Sequence, residues 1–357
     1  MTAAARTMDV NACASVLRSR SSDVIDLPAF FGQLEAASAT PIPNIREQVE
    51  RLLFFLGGER HIELRRASLA FFRPSILAMW QPQIARCAED AVALLDGRTE
   101  ADLVADFARI VAGDVVCRMI GLPAAGREDF DLWTDEARWL TEPLPPMRRL
   151  PRIETALGEF AAAVADAACA SPPPESEGLP TFLHQNDDGL SAEDRIWLAM
   201  SLYGASSVTR HTLSNTIMTV ASLPPERRSA LLEPERRMAA VERLIAASTS
   251  FQFLIRERRG EAGPAARVEV PIGPASAEAL GGACPLGGAS VAGSINHVAF
   301  GAGVHKCLGA ELARLIIAEA LTALVRRFPR FAPLWPPSGF EPYVMVTSPI
   351  DFVCRLT

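Results

Sequence analysis

The segment from Ser191 to Ser222 contains no proline and a single glycine, Gly204, and this long uninterrupted stretch constrains the fold more than any other feature. Read as one α-helix, it spans roughly 48 Å at 1.5 Å per residue, enough to cross an entire domain. Ser191 followed three residues later by Asp194 is a capping-box arrangement that starts it. Its centre, Tyr203 to His211, is small and polar for a helix otherwise suited to burial. Two readings fit that centre: a Ser/Thr-rich kink where another helix approaches, or a helix that lines a ligand cavity.

A chain built around such a helix should be mainly α. Ala, Leu, Arg and Glu dominate before residue 240, and helical patterns cover 44–57, 59–71, 75–96, 101–120, 126–140 and 152–170. Leu144-Pro145-Pro146 and the Pro-rich run 171–178 read as surface loops. After residue 260 the composition shifts to Gly, Ala, Pro and Val. The run 266–270 reads as a strand, and the pieces 343–347 and 352–356 as a small peripheral hairpin. No repeat or domain boundary stands out, so one domain over 1–357 is expected.

Formal charge is −7, with no dense Lys/Arg stripe, which argues against a nucleic-acid partner or an anionic membrane surface. No stretch approaches the roughly 20 apolar residues of a membrane helix, and no signal-peptide core opens the chain. The 7 cysteines are scattered without a C-x-x-C pair, so neither a disulfide framework nor a zinc ribbon is suggested and a cytoplasmic location is expected.

The densest signal is Phe300-Gly301-Ala302-Gly303-Val304-His305-Lys306-Cys307-Leu308-Gly309, followed by a helical run from Ala310. A cysteine leading into a helix meets unpaired N–H groups that favour thiolate over thiol. Gly301, Gly303 and Gly309 remove side chains where a flat ligand would lie against the backbone, and Phe300 offers an aromatic wall. Any one of these residues has an ordinary structural explanation. Their combination in ten positions points to a thiolate that holds a metal ion.

This string, with Leu312-Ala313-Arg314 after it, resembles the heme-binding loop of the cytochrome P450 superfamily. His61-Ile62-Glu63-Leu64-Arg65-Arg66 is similar to the family's helix that gives a His and an Arg to a heme propionate, and Asp102 to Pro123 resembles the helical pair that follows. The 191–222 helix then stands in for the long distal helix. The resemblance implies a P450-like helical fold with a reduced peripheral β subdomain and a heme b (iron protoporphyrin IX) cofactor. Cys307 would be the iron ligand, with His61, Arg65, Arg256 and His305 offsetting the propionates.

Three departures qualify the likeness. The family's distal Gly-x-Glu/Asp-Thr lacks its acid here. With Gly204 as the motif glycine, acid and alcohol become Ser206 and Ser207; with Ser214-Asn215 setting the register, they become Ser207 and Val208. Ser206, Ser207 and Thr209 would then hold an ordered water, while Arg210 and His211 either bind a substrate carboxylate or face solvent. The bracing Glu-x-x-Arg pair is missing from 241–247, and Glu233-Pro234-Glu235-Arg236 has only its spacing. The chain is also short for a bacterial member, at the cost of N-terminal strands and of the region between Arg256 and Phe300.

The implied function is a heme-thiolate oxidoreductase tailoring a small or carrier-bound natural-product intermediate, fed by a ferredoxin and its reductase. The alternatives are a peroxygenase, a redox-neutral isomerase or dehydratase, and a catalytically silent docking protein. Trp133, Trp139 and Leu140 lie where substrate-covering helices are expected, and equally suit plain core.

Overall fold

The computed structural model describes residues 8–38, 40–143, 146–185, 189–258, 266–287 and 295–357. They form two compact units. The first, here the helical unit, comprises Val24–Cys87 and Arg109–Arg210; the second, the cysteine unit, comprises Met1–Asp23, Ala88–Ala108 and His211–Thr357.

The helical unit holds α2 (Leu27–Ser38), α3 (Pro43–Val49), α4 (Gly58–Phe71), most of α5 (Pro74–Ala93), α6 (Arg109–Ile120), α7 (Arg127–Ala137), α8 (Leu150–Cys169) and the first part of α9 (Ala192–Ala221). Apolar spacing explains α8, whose Ile153, Ala156, Leu157, Phe160, Val164 and Ala167 are buried along one stripe. Phe130 of α7 stacks on Phe160 at 5.5 Å, and Tyr203 of α9 meets both rings edge-on. The Glu154 carboxylate accepts from Asn44 N and Ile45 N at 2.8 and 3.0 Å, capping α3 from a neighbouring helix. Ser191 caps α9 as expected, accepting from Asp194 N at 3.0 Å.

The cysteine unit holds α1 (Val10–Arg18), the end of α9, α10 (Pro234–Ser248), α11 (Ile272–Glu278), α12 (Ala310–Arg327) and two small antiparallel sheets. One has the order β1 (Ser22–Asp23), β3 (Leu254–Arg258), β4 (Ala266–Val270), so the expected strand at 266–270 is present. The other has the order β2 (Glu100–Asp102), β6 (Val353–Arg355), β5 (Ala332–Pro333). The core of this unit gathers on α12, where Ile316, Ile317, Leu321 and Leu324 are fully buried.

Several boundaries differ from the sequence reading, and α1 and α2 were not anticipated. The helix expected over 44–57 stops at Val49, because Arg51 turns back to bond Glu47 and Asp194. The pattern at 101–120 begins as β2, since Asp102 Oδ1 accepts from both Val104 N and Phe352 N and ties the strand to the C-terminal segment. The hairpin expected from 343–347 and 352–356 does not form. Val353–Arg355 pairs with β2 and β5, while Val346 bridges Phe251. The Pro-rich stretch 171–178 is a loop with one 3₁₀ turn, pinned where Ser176 Oγ donates to Arg118 O at 2.9 Å. Leu144 and Pro145 of the other expected loop lie outside the described residues. No helix among the described residues is long and apolar enough to cross a membrane.

Candidate active site

The cysteine loop is a closed hairpin. Gly301 N donates to Val298 O at 2.8 Å, Lys306 N to Gly303 O at 3.1 Å and Cys307 N to Phe300 O at 2.8 Å. Two glycines make this possible. Gly301 and Gly303 have φ of 69° and 73°, and a Cβ on Gly303 would sit 2.4 Å from Leu17 O at the end of α1. Cys307 is exposed, two residues before the Gly309 N-cap of α12, and His305 is half-buried in the 3₁₀ turn Gly303–His305. A Cβ on Gly301 would meet only His305 O and Leu254 Cδ1 among the described residues, both at 3.9 Å.

That contact brings β3 to the loop. Strand residues two apart share a face, so Arg256 lies on the same face as Leu254. Arg256 is 3% exposed, and its hydrogen bond among the described residues goes to the Ile255 carbonyl at 2.9 Å. Burial lowers its pKa to about 10, with Asp23 the charge opposing the shift. A guanidinium this deeply buried without an ion-paired carboxylate among the described residues calls for an anion, and heme propionates answer that need. The residues therefore fit the group: a cysteine exposed beside a glycine cradle, and a buried cation on the adjoining strand face.

Behind the loop lies a network the sequence reading missed. Glu242 of α10 accepts from His297 Nε2 at 2.9 Å and from Arg314 Nε and Nη2 at 2.6 and 2.7 Å. The Arg314 guanidinium sits 4.4 Å from the Phe300 ring centroid, so that ring is engaged by a cation rather than standing only as a wall beside the sulfur. Burial would raise the Glu242 pKa, but the bonds from Arg314 and His297 dominate and hold it down at about 2. Among the described residues, the Glu233 carboxylate and the Arg236 guanidinium pair only with each other, at 2.9 Å on the half-exposed start of α10.

In the helical unit, His61 and Arg65 lie one turn apart on α4, the first buried and the second half-buried. Ser206 and Ser207 are buried on α9 and Thr209 is half-buried. The Ser207 hydroxyl donates to Gly204 O at 2.7 Å and accepts from Arg138 Nη1 at 2.9 Å, so both its roles are taken by protein. The expectation that Arg210 and His211 face solvent or offer themselves to a substrate carboxylate is corrected for Arg210. It is 3% exposed and paired with Asp135 at 2.8 Å. His211 is 1% exposed, with its ring against Tyr343, so it does not face solvent either. In the helical unit, Tyr203 Oη donates to the buried Asp131 Oδ1 at 2.8 Å, and Arg127 and Arg109 complete a half-buried charged cluster with Asp114, Asp131 and Asp135. Burial raises the pKa of both Asp114 and Asp131 despite these partners.

Comparison with known proteins decides what this arrangement belongs to. No family model matches the chain. Cytochrome P450-SU2 of Streptomyces griseolus is 28% identical over 281 residues, 75% of this chain and 68% of that protein. Mycinamicin IV hydroxylase/epoxidase of Micromonospora griseorubida is 26% identical over 294 residues, 79% and 74% of the two chains. The chain is similar to bacterial cytochrome P450s over three quarters or more of its length. Solved P450 structures share its fold: CalO2 superposes with a TM-score of 0.83 at 22% identity, covering 98% of this chain and 90% of that one. P450BioI, solved with a fatty-acyl carrier protein, gives 0.79 at 18% identity, covering 98% and 91%. The fold is thus mainly helical, and the P450 relatives support an enzyme of oxidoreductase type, a family that carries a heme.

Proposed function

We propose that Cys307 is the proximal thiolate ligand of a heme b, held in one P450-like domain spanning 1–357, and that the enzyme oxidises a small or carrier-bound natural-product intermediate. The observation that carries this is the exposed Cys307 that closes a hydrogen-bonded glycine hairpin, beside the strand face that buries Arg256. The carrier-bound option draws on the likeness to P450BioI, and the natural-product setting on mycinamicin IV hydroxylase/epoxidase. When bound, the heme supplies oxidative chemistry at iron made electron-rich by a thiolate.

The protein's own contribution is placement and charge. The hairpin presents the sulfur, and the start of α12 favours its ionised form. Arg256 and His305, with His61 and Arg65 on α4, would offset the propionates. Ser207 is already committed to Gly204 and Arg138, which leaves it poorly suited to pass protons. That observation favours a second reading, in which oxidation is driven by peroxide or the reaction is redox-neutral.

Absorption of the reduced protein with carbon monoxide tests the first reading. A strongly red-shifted Soret band is expected, and it should vanish in Cys307→Ala. Substrate-dependent NAD(P)H consumption with surrogate ferredoxin and reductase then supports the monooxygenase, whereas turnover with peroxide or without any reductant supports the second reading. A protein that takes up no heme after reconstitution leaves the docking role.

A further inference from the structure

The three backbone hydrogen bonds inside the cysteine hairpin set its shape, and its placement is left to its two stems. The entering stem carries His297, and the leaving stem is the start of α12, whose fifth residue is Arg314. A single carboxylate on α10 holds both. Glu242 Oε1 accepts from His297 Nε2 and from Arg314 Nη2, and Oε2 accepts from Arg314 Nε. The two parallel bonds to Arg314 fix the plane of its guanidinium. That plane lies over the Phe300 ring, so the hairpin itself is gripped as well as its stems.

The other ends of the network fit the same role. His297 Nδ1 accepts from Ala299 N at 3.1 Å, which leaves the proton on Nε2, directed at Glu242. Arg314 Nη1 is occupied by the exposed Glu311 at 2.8 Å. Arg243, the next residue on α10, serves elsewhere: it donates to the Pro285 and Cys284 carbonyls at 3.1 and 3.4 Å.

We propose that Glu242, acting through Arg314 and His297, is the positioning residue that holds Cys307 in place as the thiolate ligand, the duty for which this α10 has no Glu-x-x-Arg pair. The proposal rests on the reading of Cys307 as the iron ligand.

The test uses purified holo-protein, reduced and placed under carbon monoxide. Glu242→Gln is expected to keep its heme but to lose about half or more of the red-shifted Soret band to the unshifted band of a protonated or displaced sulfur. Conversion on standing should be about tenfold faster than in the unsubstituted protein, as expected for loss of charge-assisted bonds. Arg314→Lys, which keeps the charge and loses the fork, should show the same signature at smaller amplitude. Glu235→Gln, exposed on the same helix, should not. If Glu242→Gln does not fold, Arg314→Lys and His297→Gln carry the test, each loosening one stem. A Glu242→Gln protein whose band is as red-shifted and as durable as the unsubstituted protein's overturns the proposal, even if it melts earlier. If Cys307→Ala keeps the red-shifted band, the iron ligand lies elsewhere and the reading of Cys307 falls first.

Discussion

Glu242 and Arg256 show two opposite consequences of burying a charge in one unit. The Glu242 carboxyl is pulled down from 4.5 to about 2 by its partners, despite burial that pushes the other way. A folded carboxyl with a depressed pKa stabilises the protein above its unfolded value, and that stabilisation is lost as pH falls through the folded one. Stability should therefore fall between about pH 4.5 and pH 2, by on the order of 1–2 kcal/mol once solvent screening of a partly exposed group is allowed for. Urea midpoints across that range, compared with those of Glu242→Gln, check it: the variant should lose this part of the slope. Arg256 has burial without an ion-paired carboxylate among the described residues, so its charge costs stability until an anion arrives. Arg256→Leu should thus leave the heme-free protein as stable or more stable, while weakening heme retention about tenfold. Melting curves of apo-protein and the rate of heme transfer to an acceptor separate the two effects. At Gly303 both the positive φ and the 2.4 Å approach to Leu17 O oppose any side chain, and Gly303→Ala should destabilise by about 2 kcal/mol or more, measured by urea unfolding.

At the scale of elements, α7 and the first part of α9 are joined by polar contacts at successive turns. Asp131 meets Tyr203, Arg138 meets Ser207 and Asp135 meets Arg210. Gly113 of α6 makes room for the cluster, since a Cβ there would fall 2.7 Å from Arg127 Cδ. Removing one member of such a buried set strands the others, so Asp131→Ala should cost about 3–5 kcal/mol, against about 1–2 for Tyr203→Phe. Denaturant unfolding of both single variants and the double variant measures the coupling. The long helix was legible from its lack of proline, and its small polar centre hinted at a close neighbour. Which neighbour was not legible: Arg138 and Ser207 are separated by 69 positions, and no local pattern links them. The same holds for 101–102, which read as part of a helical pattern in isolation but fall in β2, where Asp102 bonds Phe352 N across 250 positions. Residues 343–347 and 352–356 read as a hairpin by proximity, yet each found a better-matched edge elsewhere.

At the scale of the whole molecule, the helical class is legible from composition and long helical patterns, while the P450 likeness and the cysteine that would hold the cofactor follow chiefly from one contiguous string, Phe300 to Gly309. Such a string is readable because its requirements are local: a hairpin needs glycines where φ is positive, and a thiolate needs the start of a helix. Burial was also partly readable, since periodic apolar spacing on α8 reports the face that must leave water. What only the tertiary structure decided is how each charge is answered. The missing Glu-x-x-Arg pair looked like a deficit until Glu242 was found bonded to Arg314 and His297, and Arg210 looked available until Asp135 was found beside it. The reason is physical: the worth of a charged side chain depends on desolvation and on partners a few ångströms away, and those partners come from segments that the chain order keeps far apart.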